Sequence, residues 1–218
     1  MKITVRTYLE SILVSVILGG IIVFAITRLL QQKNTVIPNN TVILNSIPDY
    51  LHLLHRPKIS EQRAAYFLIK NNPELSQEYV ENIVRIYFKE CQKESINVAA
   101  AIAQMALETG FLNFRGAIQK HQNNFAGMGS LHATHCGLSF STVEEGIRAH
   151  IQHLKAYASD EPLRSPCVDP RREFIQRSSH FGKVKTVYDL CGAWATDEDY
   201  GKKLAKMIQN LLDFEVHN

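Results

Sequence analysis

The chain carries no strong charge of either sign. Its 218 residues include 24 Lys and Arg against 21 Asp and Glu, which leaves a formal net charge of +3. A protein that binds nucleic acid usually shows a much larger basic excess or a basic stripe. We therefore expect no nucleic-acid partner.

Cysteines are few, and no two are spaced as a short zinc-binding pair. The four are Cys91, Cys136, Cys167 and Cys191. His132, His135 and Cys136 lie close together, but exposed loop histidines explain them better than a metal site does. We expect neither a metal nor a cofactor.

The positions of the cysteines also bear on whether a disulfide can form. Cys91 lies on an apolar helical stripe, which favours a buried free thiol. Cys136 and Cys167 lie in loop-like segments, and export into an oxidising space would allow them to form a disulfide.

Strand signals are nearly absent, and there is no internal repeat. Only residues 138–140 suggest a strand, which would pair with part of 117–125 as a small hairpin. Helical periodicity dominates instead. It predicts helices at residues 60–71, 76–94, 98–109, 143–157 and 200–214. The fold class is therefore mainly α, of the α+β type if the hairpin forms.

The N-terminus contains an uncharged apolar run over residues 11–27. A membrane-spanning helix needs about 20 apolar residues, with about 17 as the lower limit. A signal peptide would be followed by a small-x-small cleavage site, and none is well placed here. We expect an uncleaved anchor within residues 1–33. Positive charges are balanced on its two sides, by Lys2 and Arg6 against Arg28 and Lys33, so charge does not fix its orientation.

Residues 34–57 are predicted to form a linker, because asparagines and prolines interrupt every helical or strand periodicity. Residues 58–218 are then enough for one well-buried domain and too few for two. The expected organisation is an anchor, a tether and a single helical domain.

The helix at residues 98–109 carries the most informative carboxylate. Ala101, Met105 and Glu108 follow helical spacing, so Glu108 lies on or beside an apolar face. Asn97 is the expected N-cap and Gly110 the expected C-terminal stop. The helix dipole and partial burial would both raise the pKa of such a carboxyl group, as a general acid requires. From this helix alone, however, a surface glutamate that ends a core helix is the favoured interpretation.

Five segments resemble one known family in its own motif order. They are AQMALETGFL, NNFAGMG, GIRAHIQHLKAY, VDPRREFI and GAWATDEDYGKKL. The chain resembles the bacterial peptidoglycan N-acetylglucosaminidases, which include autolysin domains and the flagellar rod-cap hydrolase. The resemblance covers about residues 60–213. It implies a lysozyme-like helical fold, peptidoglycan glycan strands as substrate and a domain outside the cytoplasmic membrane.

The same resemblance suggests roles for individual residues. It makes Glu108 the catalytic acid and places Tyr200 in the active site. It suggests substrate contacts from Asn124, Phe125 and Gly127, in a loop that reads Phe-Ala-Gly here where many members have Leu-Phe-Gly.

A second catalytic carboxylate is expected near the start of the helix at residue 143. Glu145 or Glu144 matches the family's position, and the choice stays open. Ser141 and Glu144 also fit a capping box, which would give Glu144 a structural role. Participation of the sugar's own acetamido group would make a second carboxylate less necessary.

The sequence therefore predicts a membrane-anchored glycosidase that acts on cell-wall glycan. Two rival interpretations remain: a lytic transglycosylase of the same fold, and a non-catalytic wall-binding scaffold.

Overall fold

The computed structural model describes residues 46–129 and 137–215. By its contacts the chain divides into two units, residues 1–46 and residues 47–218. The predicted anchor at residues 11–27 lies outside the described residues. Among the helices within the described ranges, none is both long enough and apolar enough to cross a membrane.

The second unit is built from helices. They are α1 (Glu61–Asn71), α2 (Gln77–Glu94), α3 (Val98–Thr109), α4 (Val143–Ala158), the short α5 (Arg172–Gln176) and α6 (Tyr200–Leu212), with single 3-10 turns at Asp49–Leu51, Lys120–Gln122 and Val187–Leu190. The five predicted helices are all present. Ser60, Ser76 and Asn97 cap α1, α2 and α3 by accepting hydrogen bonds from backbone N–H groups of the first turn.

Helix α3 lies at the centre of the domain. Nine of its twelve residues are buried, so the helix is enclosed on nearly all sides. It packs against α2 and α6, while α2 also packs against α1 and α4. Its many alanines allow these neighbours to approach closely, and Ile102 and Met105 fill the remaining space. Each of these two large side chains contributes about 1.5–3 kcal/mol through burial. The carboxylate at the end of α3 is therefore held on a rigid support.

Residues 47–57, predicted as the last part of the linker, belong to the helical unit. Leu51 and Leu53 are 3% and 1% exposed. The backbone N–H of Leu53 donates to Lys185 O at 2.9 Å. The side chain of Asn97 donates to the carbonyl groups of Tyr50 and His52. The domain thus begins before residue 58, at about residue 47.

The expected hairpin does not form within the described residues. The segment 137–140 does lie along the loop, since Leu138 N donates to Met128 O and Phe140 N donates to Gln122 O, both at 2.8 Å. However, Asn123 and Gly127 have φ values of 50° and 63°, which break the extended backbone that a ladder needs. The two segments form an irregular loop pair instead.

This loop is pressed directly onto α4. A Cβ atom placed on Gly146 would lie only 1.8 Å from Asn123 O, so the backbones of helix and loop are in contact. The side chain of Asn123 adds a 3.0 Å hydrogen bond to Phe140 O. The loop therefore has one fixed position relative to the helix that follows it.

A buried ion pair joins α2 to α4. Lys155 Nζ lies 2.9 Å from Glu94 Oε2, and the two side chains are 1% and 0% exposed. Burial alone would raise the pKa of Glu94, but hydrogen bonds from Lys155, Ser165 and the backbone of Arg164 lower it overall. The pair is thus fully hydrogen-bonded, the condition under which a buried charge is tolerated.

Candidate active site

Glu108 lies in the last turn of α3, and the chain turns away directly after it. Gly110 ends the helix with φ 59° and ψ 53°, the left-handed conformation typical of glycine at this position. The expected caps at Asn97 and Gly110 are both confirmed. The glutamate is left partly buried at the end of a rigid helix.

Two aromatic residues hold the Glu108 carboxyl group. The Tyr200 hydroxyl donates a hydrogen bond to Oε1 at 2.5 Å. Trp194 provides a second side-chain hydrogen bond. Tyr200 is the first residue of α6, 92 positions further along the chain, and its side chain is 5% exposed. The fold thus brings the start of α6 to the carboxyl group at the end of α3.

The surroundings of Glu108 favour its protonated form. Burial raises the pKa of Glu108, and the hydrogen bonds from Tyr200 and Trp194 lower it by less. The C-terminal end of α3 adds an unfavourable dipole for a negative charge. Burial and the negative charge of Glu108 hold the pKa of Tyr200 well above its usual range, so Tyr200 remains a proton donor. A carboxyl group in this setting can donate a proton near neutral pH.

The loop at residues 123–129 reaches the same carboxyl group through Gly127. A Cβ atom on this glycine would lie 3.3 Å from Glu108 Oε2. One oxygen of Glu108 is therefore bound by Tyr200, while the other faces the loop backbone. Of the three expected loop contacts, Gly127 is the one that the structure places beside Glu108.

Asn124 and Phe125 are placed differently. Asn124 is fully buried, and its amide donates to Met128 O and Leu138 O at 2.9 and 3.0 Å. Its side-chain oxygen accepts from Met128 N at 3.0 Å. Phe125 is 1% exposed and packs edge-on against Tyr87 and Phe114. In this conformation both side chains shape the loop rather than face solvent, and their contact with substrate stays a prediction.

The two candidate second carboxylates have other partners. Glu144 Oε1 pairs with Lys89 and Arg148 at 2.9 and 3.1 Å, and the hydrogen bond from Lys89 is the main cause that lowers the pKa of Glu144. Glu145 Oε2 accepts from Ser141 N at 2.8 Å.

The cap of α4 lies one residue later than predicted. Thr142, not Ser141, accepts the capping hydrogen bond, and its donor is the backbone N–H of Glu145. Glu145, not Glu144, is therefore the third helical residue, and its side chain accepts from the backbone N–H of Ser141, one residue before the cap.

Trp194 is fixed by an aromatic cluster that includes two histidines. The ring centres of His150 and His153 lie 5.8 and 5.1 Å from Trp194. His153 Nδ1 is 2.8 Å from Asp169 Oδ2. The hydrogen bond to Glu108 gives Trp194 a role at the carboxyl group in addition to its packing.

Sequence reasoning missed Gln104. It donates from Nε2 to the Tyr200 hydroxyl at 2.8 Å and is 1% exposed. The available signal was its position: it is the only polar residue of α3 before Glu108, and it lies one helical turn earlier on the same face.

The predicted cysteine and histidine features lie partly outside the described residues. Cys91 is a buried free thiol, as expected. Cys167 is exposed, while Cys136 is not described, so their pairing stays a prediction. His132 and His135 are not described either. In the part of the chain that is described, no group of His, Cys, Asp and Glu is arranged to hold a metal ion.

Comparisons with known proteins show the family to which the chain belongs. The family model of the glucosaminidases, described as mannosyl-glycoprotein endo-beta-N-acetylglucosaminidase, matches residues 84–213. The chain therefore belongs to the glucosaminidase family, and it is a glycoside hydrolase of the endo-β-N-acetylglucosaminidase type with a peptidoglycan-hydrolase-type function. A protein of Borreliella burgdorferi, described as uncharacterized, is 42% identical over 166 residues, which cover 76% of this chain and 79% of the relative. No solved structure matches the chain.

Proposed function

We propose that this glycoside hydrolase cleaves the β-1,4 bond after N-acetylglucosamine in peptidoglycan glycan strands, with Glu108 as the general acid. The observation that carries the proposal is the carboxyl group itself. It ends a buried helix, its pKa is raised by burial, and Tyr200 donates to one of its oxygens. These are the properties of a group that must hold a proton near neutral pH and then release it.

In the first step Glu108 donates its proton to the departing glycosidic oxygen. The carboxylate that results accepts hydrogen bonds from Tyr200 and Trp194, which stabilise the negative charge as it develops. Water is the final nucleophile and gives a reducing N-acetylglucosamine end. Glu145 and Glu144 remain the candidates for the second carboxylate, with the acetamido group of the sugar as the alternative.

Product analysis tests the bond and the reaction. Purified peptidoglycan is digested with the protein, and the fragments are identified by mass spectrometry. We expect reducing N-acetylglucosamine ends. Anhydro-muramic acid ends would instead identify a lytic transglycosylase, and binding to the wall without any released fragment would identify a scaffold.

We further propose that residues 11–27 anchor the protein in the cell membrane by a single pass, with the catalytic domain on the extracytoplasmic side. The 17-residue uncharged run, the absence of a cleavage site and a substrate outside the membrane support this placement. Protease added to intact spheroplasts should digest the domain. Protection of the domain, or a mature N-terminus near residue 30, would contradict the proposal.

A further inference from the structure

A continuous chain of buried hydrogen bonds runs from Glu108 into the core. Beyond Tyr200 and Gln104 it continues to His150, whose Nε2 lies 2.9 Å from Gln104 Oε1. His150 Nδ1 lies 3.0 Å from the hydroxyl of Tyr87. His150 and Tyr87 are both completely buried. Four elements, α2, α3, α4 and α6, thus contribute one member or more.

In this series of hydrogen bonds, the donor of the first bond determines which group donates in each bond that follows. When Glu108 is ionised its oxygens can only accept, so Tyr200 gives its only hydroxyl proton to Glu108 and the Tyr200 oxygen accepts from the amide N–H of Gln104. The carbonyl of Gln104 then faces His150. A carbonyl can only accept, so Nε2 of His150 must carry a proton.

The charge state of His150 determines which group donates in the last hydrogen bond, between His150 and Tyr87. Burial, with a smaller contribution from the neighbouring His153, lowers the pKa of His150 to about 3, so the ring is neutral. A neutral imidazole has one N–H, which is already on Nε2. Nδ1 must therefore accept, and Tyr87 must donate to it. The groups that face His150 are Tyr87 from α2, Gln104 from α3, His153 from α4 and the ring of Trp194.

We propose that Tyr87, His150 and Gln104 are positioning residues, which fix the direction of this chain so that Tyr200 always donates to Glu108. The inference rests on the proposed role of Glu108 as the acid. Without the Tyr87 hydroxyl, the imidazole is free to move its proton to Nδ1. Gln104 would then rotate to donate to Nε2, and its carbonyl would face Tyr200. The Tyr200 proton would turn to Gln104, and Glu108 would lose one of its two donors, keeping only Trp194.

The consequence is kinetic and has a defined sign. The Tyr200 hydrogen bond stabilises the charge that develops on Glu108 in the transition state. It also stabilises the ionised form of Glu108 in the free enzyme. Its loss slows proton donation and raises the pKa of Glu108. Because activity needs protonated Glu108, it is lost as the pH rises through that pKa. The basic limb of the pH–rate profile should therefore move to higher pH.

The test is a double-mutant cycle with Tyr87→Phe and Tyr200→Phe, measured on a soluble glycan fragment. We expect each single variant to lower kcat about tenfold or more, the scale of one lost hydrogen bond to a charged group, with little change in KM. Both should move the basic limb upward. If Tyr87 acts through Tyr200, the double variant should match Tyr200→Phe alone.

Two controls separate the possible failures. Tyr79→Phe, on the same helix but outside the chain of hydrogen bonds, should behave as wild type. Glu108→Gln is measured in parallel. Full activity in Glu108→Gln overturns the proposed function, whereas an inactive Glu108→Gln together with a wild-type Tyr87→Phe overturns only this inference. Independent, multiplicative losses in the double variant also contradict it.

A spectroscopic measurement on the unmodified protein covers the case in which Tyr87→Phe does not fold. Nitrogen-15 NMR of the histidine rings reports which ring nitrogen carries the proton. We expect His150 as the neutral Nε2–H tautomer at pH 7. An Nδ1–H tautomer or a charged ring would refute the proposed direction of the chain.

Discussion

Gly127→Ala places a methyl group directly beside the proposed acid. The new Cβ atom would lie 3.3 Å from Glu108 Oε2. This is tight for a carbon–oxygen contact, so the carboxyl group or the loop must move by a few tenths of an ångström. The methyl group also occupies space beside the oxygen that Tyr200 does not bind. We expect turnover to fall by about tenfold or more, since small misplacements of a catalytic group can cost up to about 10²-fold.

The same substitution also strains the backbone, and that contribution has to be separated. Gly127 has φ 63°, a conformation that costs other residues about 1–2 kcal/mol. Gly110 has nearly the same φ, 59°, but the nearest atom to its added Cβ is Asn113 Cβ at 4.0 Å. Gly110→Ala therefore carries the strain without contact to Glu108.

The assay compares the two variants by thermal unfolding and by release of reducing ends from peptidoglycan. Both should lower Tm by a similar amount, roughly 2–4 °C for each kcal/mol in a domain of this size. Only Gly127→Ala should lose turnover. Equal turnover in the two variants would refute the placement of Gly127 beside the reacting oxygen.

Four other substitutions have defined outcomes. Trp194→Phe removes a hydrogen bond that lowers the pKa of Glu108. Turnover should therefore fall, and the basic limb of the pH–rate profile should move to higher pH. An unchanged profile would contradict this. Lys155→Met leaves Glu94 as an uncompensated buried charge, so the free energy of unfolding should drop by about 3–5 kcal/mol in chemical denaturation. A change below about 1 kcal/mol would contradict a stabilising role of the Lys155–Glu94 ion pair. Glu145→Gln should lower turnover more than Glu144→Gln, because the Glu144 carboxylate is already ion-paired with Lys89. Wild-type rates in both variants would leave the acetamido group of the sugar as the participating group.

Helices and their ends could be predicted because their signals are local. Apolar spacing defined α1, α2 and α3, and the caps at Asn97 and Gly110 lie within the residues they cap. The position of Glu108 on its helix follows from the same period, but its selection as the acid rested on the resemblance of the surrounding segments to the family.

Features that depend on distant partners could not be predicted. Residues 47–57 contain prolines and look like a linker, yet Leu53 is held by Lys185 O from the other end of the domain. Gln104 looks like an isolated polar residue until the fold brings Tyr200 and His150 to its two sides. The role of Gln104 comes from contacts across 46 and 96 positions, which periodicity does not reveal.

Glu108→Gln tests the central claim most directly. Glutamine keeps the size of the side chain and can still accept from Tyr200, but it has no acidic proton to donate. We expect turnover of peptidoglycan to fall on the order of 10²-fold or more, with the circular dichroism spectrum and Tm preserved, and to fall further than in Glu145→Gln, Glu144→Gln or Tyr200→Phe. A folded Glu108→Gln protein that digests peptidoglycan at the wild-type rate would contradict the account.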